Sequence, residues 1–266
     1  MVDFERKEQY GISDLVRIMK LLRSPVGCPW DREQTHKSIR RNFIEETYEA
    51  AEAIDLEDSG LLREELGDVL LQVVFHSQIE EEAGRFDFDG VCDSICKKLI
   101  HRHPHIFADT VADTSDEVLR NWDEIKKNEK HQKSAAQSAK SVARSLPALM
   151  RSEKVQYRAA KAGFDYDDVS GAFNDMLSEI KELQKAIDDA DNVSMHEELG
   201  DLFFSVVNVA RFLSIDPEKS LSDSCDKFLA RFEKVENIAT ERGIDMRKSD
   251  LQLLDSLWLE AKNKEL

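Results

Sequence analysis

Glycine and proline are scarce in this chain, 10 and 5 among 266 residues, and it has no long alternating run of β-branched residues. Sandwiches and barrels depend on such runs and on turn residues, so they are excluded. Leu, Ala, Glu and Lys are abundant instead and favour helix nearly everywhere. The four cysteines, Cys28, Cys92, Cys96 and Cys225, form no CxxC pair, which removes zinc knuckles and dithiol redox motifs. Cys92 and Cys96 lie one helical turn apart and are expected as small core residues rather than as a disulfide. Neither GxxxxGK[ST] nor GxGxxG occurs, so a phosphate-bearing ligand would be held by metal and side chains, not by a Gly-rich loop. Positive charge is also short: 37 basic against 54 acidic residues give a net charge of −17. That balance repels a phosphate backbone and argues against a nucleic-acid polymer as partner. The charged start, MVDFERKEQYG, lacks an apolar signal core, and no apolar run is long enough to cross a membrane. A cytoplasmic protein with no membrane partner is expected.

What the chain does contain, it contains twice. EELGDVLLQVV (64–74) returns as EELGDLFFSVV (197–207), displaced by 133 positions, and the same offset relates Glu46 and Glu49 to Glu179 and Glu182. NWDEIKK (121–127) is echoed by LWLEAKN (257–263). Internal repetition decides the architecture: an all-α protein of two tandem helical-bundle domains, 1–127 and 148–266, joined by a linker at 128–147 whose small polar residues carry no core-forming stripe. In each copy the order is a lead-in segment, an acidic helix, a second acidic helix beginning near Leu61 or Met195, a longer helix with Lys and Arg, and a closing helix with Trp.

The acidic helices carry the chemistry. Glu46 and Glu49, and Glu65 and Asp68, are spaced i, i+3, so each pair projects from one helix face. The short DLEDSG loop favours an antiparallel hairpin in which the two pairs converge, seated by Ile44, Ala51, Leu66, Val69, Leu70 and Val73. Gly67 and Gly200 leave room for close approach to the helix. The second copy offers Glu179, Glu182, Glu198 and Asp201. Four gathered carboxylates cost several kcal/mol per charge unless neutralised. A hard divalent cation with all-oxygen ligands, Mg²⁺ or Mn²⁺, removes that cost. One EExxE by itself is an ordinary solvated helix face; its recurrence at unchanged spacing, flanked by apolar residues, favours metal. Two other classes compete. A ferritin-like di-iron bundle would need Glu-x-x-His on two helices, but only EQTH at Glu33 to His36 fits, with no second copy. A non-catalytic acidic scaffold explains the charge but not the repeated spacing. Lys97, Lys98, Arg102, Lys227 and Arg231 could reach a phosphate or simply form helix salt bridges. HRHPH is a poor metal site, since Pro104 breaks the helix and the second copy has no matching histidines.

GCPWDREQTHKSI, EETYEAAEAI, EELGDVLLQVVFHSQ, GRFDF and RHPHIFAD, followed by RAAKAGFDYD and EELGDLFFSVVNVARFL, resemble the MazG family of nucleoside triphosphate pyrophosphohydrolases, from about Leu21 to Lys262. The resemblance implies tandem all-α domains in a homodimer that hydrolyses nucleoside triphosphates, broad in base, to monophosphate and pyrophosphate with Mg²⁺, for nucleotide-pool control or housecleaning. Carried over by position, the metal ligands are Glu179, Glu182, Glu198 and Asp201, with Glu46, Glu49, Glu65 and Asp68 as first-copy equivalents. Ser178, Glu197, Lys227, Arg231 and Trp258 join Glu179 and Asp201 in meeting the nucleotide, and Glu45 or Glu197 orients or deprotonates the attacking water. Trp258 and Trp122 could stack on a base or close their bundles. The second copy departs from the family at Ser178, where the first copy has Glu45, and at Asp175, where members often carry lysine.

Overall fold

The computed structural model describes residues 4–108, 114, 117–118, 125 and 134–263. Trp122 and most of the NWDEIKK echo lie outside the described residues. Every described element is a helix, and the chain divides into two compact units, Met1–Glu129 and Lys130–Leu266.

The first unit comprises α1 (Ile12–Leu22), α2 (Pro29–Glu33), α3 (Arg40–Asp55), α4 (Ser59–Glu82), α5 (Phe88–Arg102) and α6 (Pro104–Phe107). Helices α3 and α4 form the expected hairpin, and α1 and α5 pack on α4. Its core joins Met19 of α1, Ile39 of the lead-in segment, and Val74 and Phe75 of α4, flanked by Leu15, Val16, Leu71, Ile79 and Phe88.

The second unit comprises α7 (Ala135–Lys140), α8 (Ala148–Ala160), α9 (Val169–Asp188), α10 (Asn192–Phe212), α11 (Pro217–Glu241), a 3₁₀ turn (Met246–Lys248) and α12 (Leu251–Asn263). Helix α7 falls within the stretch expected as linker. It packs on α8, whose Arg158 donates to the Ser141 hydroxyl at 2.6 Å and to the Ser138 carbonyl, and Val142 beyond it is buried. The core of this unit lies between α11 and α12, where Val235, Ile238, Ala239, Leu257 and Ala261 are buried, with Trp258 packed against them.

The two hairpins turn in the same way. At Glu57 and Ala190, which are 133 positions apart, φ is 54°. The N–H groups of Asp58 and Asp191 bond back to the carbonyls of Ala53 and Ala186 at 3.1 Å in both copies, closing the left-handed helix stop. Those same two aspartates then cap the next helix: Asp58 accepts from the N–H of Gly60 and Leu61, Asp191 from Val193 and Ser194. Each cap satisfies otherwise unpaired donors and is worth about 1 kcal/mol. Ala53 and Ala186, 0% and 5% exposed, let the paired helices approach closely.

Packing departs from expectation at the apolar stripe. Ile44, Leu66 and Leu70, expected to seat the first hairpin in a core, are 37%, 54% and 38% exposed, while Val69 and Val73 are half-buried and Ala51 is exposed. The hairpin seam is filled by alanines, and α1 covers only the Val74–Phe75 side of α4, so the stripe beside the acids has nothing over it among the described residues. Cys96 is also exposed and Cys92 half-buried, both as free thiols.

Candidate metal centre

Each hairpin brings its acids together. Carboxylate oxygens of Glu46, Glu49 and Glu65 lie within 4.8 Å of one another, as do those of Glu179, Glu182 and Glu198. Among the described residues these are the two groups of His, Cys, Asp or Glu with metal-ligand spacing. Asp68 and Asp201 stand next to them: the charge of Asp68 acts on Glu46 and Glu65, that of Asp201 on Glu179 and Glu198. Glu46, Glu65, Glu179 and Glu198 all hold their protons more tightly than ordinary glutamates, through partial burial first and their acidic neighbours second. Among the described residues, the charges that act on these four glutamates are all acidic. An all-oxygen, charge-crowded donor set of this kind fits a hard divalent cation.

Around these triads the copies differ. In the first, Glu45 points away into an exposed ion pair with Arg41 one turn earlier, at 2.7 Å. In the second, Ser178 takes that position and donates its hydroxyl to Glu182 at 3.0 Å. Glu197, the acid preceding Glu198, is exposed and adds to the charge pressing on it. Asp175, one turn before Glu179, accepts the Tyr166 hydroxyl, whose pKa is raised by burial and by Asp175. The Tyr166 ring fits there because residue 171 is glycine; a Cβ at that position would come within 3.0 Å of it. Tyr166 was not legible as a site neighbour, because a lead-in aromatic carries no spacing signal.

The cationic candidates lie elsewhere. Lys227 is exposed on α11, and Arg231 of α11 stacks over the Trp258 ring of α12 at 5.0 Å, with Phe228 against the same ring at 5.2 Å. Arg231, Phe228 and Trp258 form an α11–α12 cluster, whereas the acids sit on α9 and α10. Lys97 pairs with Asp93 at 2.6 Å, the helix salt bridge that its spacing allowed. In HRHPH, His103 Nδ1 bonds the Leu99 carbonyl at 2.7 Å, and the run forms no group with metal-ligand spacing.

Sequence reasoning also missed a polar chain in the first unit. His36 Nδ1 lies 2.7 Å from His76 Nδ1, and His36 Nε2 lies 2.5 Å from Glu80 Oε1. Arg85 grips both oxygens of Glu80, at 2.5 and 2.7 Å. His36 was legible only as a failed Glu-x-x-His motif; its partners are 40 and 44 positions away, beyond any local pattern.

Comparison with known proteins adds an independent line. Residues 34–107 and 161–236 each match the MazG nucleotide pyrophosphohydrolase domain, so both hairpins fall inside a matched segment. The chain is 42% identical to the nucleoside triphosphate pyrophosphohydrolase/pyrophosphatase MazG of Thermotoga maritima over 94% of each chain. It is 44% identical to a nucleoside triphosphate pyrophosphohydrolase of Escherichia coli K12, over 96% of this chain and 98% of that one. It also aligns at 45% identity with the uncharacterized protein YabN of Bacillus subtilis, covering 98% of this chain and 53% of that protein.

Proposed function

Because this chain belongs to the MazG nucleotide pyrophosphohydrolase family, with both repeats matched and relatives aligned along nearly its whole length, we infer that it hydrolyses nucleoside triphosphates to nucleoside monophosphate and pyrophosphate. The observation that carries the reading is the pair of acid triads held in one register on two hairpins. Glu46, Glu49, Glu65 and Asp68 in one repeat, and Glu179, Glu182, Glu198 and Asp201 in the other, would hold Mg²⁺, or Mn²⁺ as the alternative hard cation. Such an ion neutralises triphosphate charge and lowers the pKa of water. Glu45, once swung from its Arg41 partner, or Glu197 would orient water and accept its proton. Water oxygen bonds to the α-phosphorus as the bond from that phosphorus to the bridging oxygen breaks, and the pair of electrons leaves on pyrophosphate. Ser178 orients Glu182, and by their match to the family pattern Lys227 and Arg231 would offset that charge and Trp258 would meet the base, once Arg231 and Trp258 are freed from their mutual stacking. Broad base tolerance and a role in nucleotide-pool control or housecleaning complete the reading.

Product analysis tests it. ATP or dGTP incubated with the protein and Mg²⁺ is expected to give monophosphate plus pyrophosphate, and chelator is expected to stop the reaction. Free phosphate as the leaving product would place cleavage at another phosphorus. No product from any common triphosphate, with iron or manganese bound tightly, would favour a non-hydrolytic metal-carboxylate bundle.

A homodimer is part of the same proposal. Ile44, Leu66 and Leu70 recur in register as Leu177, Leu199 and Phe203, which are 39%, 42% and 57% exposed. With Ile180 and Val206 they line the second hairpin at helical spacing, an uncovered stripe that a second copy would bury. Phe203→Glu is expected to shift the mass measured by light scattering from two chains towards one; an unchanged dimer would move the interface elsewhere.

A further inference from the structure

The polar chain His36–His76–Glu80–Arg85 occurs in one repeat only. At the same offset of 133 positions, His36, His76 and Glu80 become Val169, Val209 and Leu213. The two hairpins differ at the matching place. Helix α9 begins at Val169, the position that matches His36. Helix α3 begins only at Arg40, and the lead-in residues before it are held to α4 by Ile39 in the core and by His36.

His76 connects this chain to the acids. Asp68, Gln72, His76 and Glu80 follow one another at four-residue spacing on one face of α4. Gln72 between them is buried, with its side-chain oxygen unpartnered. Across the hairpin, Phe43 packs edge-on against the His76 ring at 5.6 Å, and Glu46 follows Phe43 by three residues. The contact that fixes His76 therefore fixes the turn of α3 that carries Glu46.

The bonding pattern limits the protons that the chain can carry. His36 Nε2–H donates to the Glu80 carboxylate. The short contact between the two Nδ1 atoms then needs one N–H and one lone pair, so the imidazole pair tolerates at most one added proton. With both rings protonated, two N–H groups would face each other across 2.7 Å. The groups facing the pair are these. On α4 and just after it, Glu80 is bound by Arg85, which with His36 holds its pKa down at about 2, so Glu80 stays a carboxylate. From α3 comes the uncharged Phe43 ring. From α1, Lys20 and Arg23 are taken up by Glu81 and Glu82. Lys37 of the lead-in segment and Arg40 at the start of α3 are both exposed. Burial and the neighbouring His36 depress the His76 pKa, so the neutral ring is favoured.

We propose that His36 and His76 are positioning residues for the first repeat's carboxylate site, and that their contact breaks when both are protonated, so that acidification loosens the first site beyond the loss that carboxylate protonation causes at both. The proposal rests on the metal reading of that site. The test uses the full chain with one site disabled at a time and Mn²⁺ as the probe, bound and free ion being counted by electron paramagnetic resonance between about pH 8 and about pH 5.5. Glu179→Gln with Glu198→Gln leaves the first site, and Glu46→Gln with Glu65→Gln leaves the second. First-site affinity is expected to fall with acid more steeply than second-site affinity, by up to about tenfold more per pH unit where the second imidazole proton binds. His76→Gln, which can hydrogen-bond but not take up that proton, is expected to keep affinity near about pH 8 and to lose the excess steepness. A purely structural histidine would instead lower affinity equally at every pH. Equal slopes in the parent and His76→Gln chains would overturn the proposal. Absence of Mn²⁺ binding at both sites would overturn the metal reading and the proposal with it. Histidine ¹⁵N spectra need no metal and separate the two failures: a shared, non-independent titration of His36 and His76 is expected, and two independent titrations would show that the contact does not form.

Discussion

Glu65→Gln combined with Glu198→Gln is expected to leave the helical circular dichroism unchanged and lower metal-dependent turnover by at least ~100-fold, since even residues behind a metal's direct ligands are worth 10–100-fold. The same protein is expected to melt higher than its parent in chelator. Both expectations have one cause. The two glutamates are matched positions, each with a raised pKa from burial and acidic neighbours. As pH rises past the ordinary carboxylate range, the unfolded chain releases these protons before the folded one does. Stability therefore falls through that window, and the penalty persists above it. An amide lifts the penalty permanently. A divalent cation lifts it reversibly, so Mg²⁺ should raise the melting temperature of the parent but not of the doubly substituted chain. The single variants apportion the activity. If Glu65→Gln removes most of it, the copy retaining Glu45 does the chemistry; if Glu198→Gln does, Ser178 suffices where the first copy has Glu45. Glu182→Gln or Asp201→Asn should behave as Glu198→Gln does. Metal-dependent turnover undiminished in the double variant would remove these acids from the mechanism.

The acid site was legible because its signal is local. An i, i+3 pair on a helix and a short loop determine most of the geometry, and repetition at one offset distinguishes design from composition. The same repetition located the hairpin turns, although Glu57 and Ala190 in the left-handed region carry no glycine signature. What could not be read depends on which faces are covered. Ile44, Leu66 and Leu70 have the hydrophobicity of core residues, but burial is set by the number of helices around a hairpin, and among the described residues too few surround this one to cover them. The His36–His76 contact was hidden for a related reason. Residues 40 positions apart meet only once the lead-in segment folds back on α4, and no periodicity encodes that return. Trp258 and Arg231 show the converse: the sequence supplied the residues, and the fold grouped them with each other on α11 and α12 rather than on the acidic helices.

Gly27→Ala is expected to destabilise the first unit by about 3 kcal/mol or more, the range of severe overpacking. In SPVGCPW the chain doubles back under the end of α1, with the Gly27 N–H bonding the Ser24 carbonyl at 2.9 Å and the Cys28 N–H bonding the Leu22 carbonyl at 2.7 Å. A Cβ at position 27 would lie 2.2 Å from the Leu22 oxygen and 2.3 Å from the Leu21 oxygen. Both are backbone atoms at a helix end and have no rotamer by which to withdraw. The turn would have to open, loosening α1, which contributes Met19 to the core beneath it. Denaturant unfolding followed by amide exchange should show α1 to α5 losing protection first while α8 to α12 keep theirs; a loss below about 1 kcal/mol would mean that the turn adapts. Gly67→Ala and Gly200→Ala make the contrasting pair, because a Cβ at either site meets nothing within 4 Å. In a helix interior that exchange stabilises by roughly 0.5–1 kcal/mol. If it does so while turnover falls, the bare helix surface beside Asp68 and Asp201 is kept open for the nucleotide rather than for the fold.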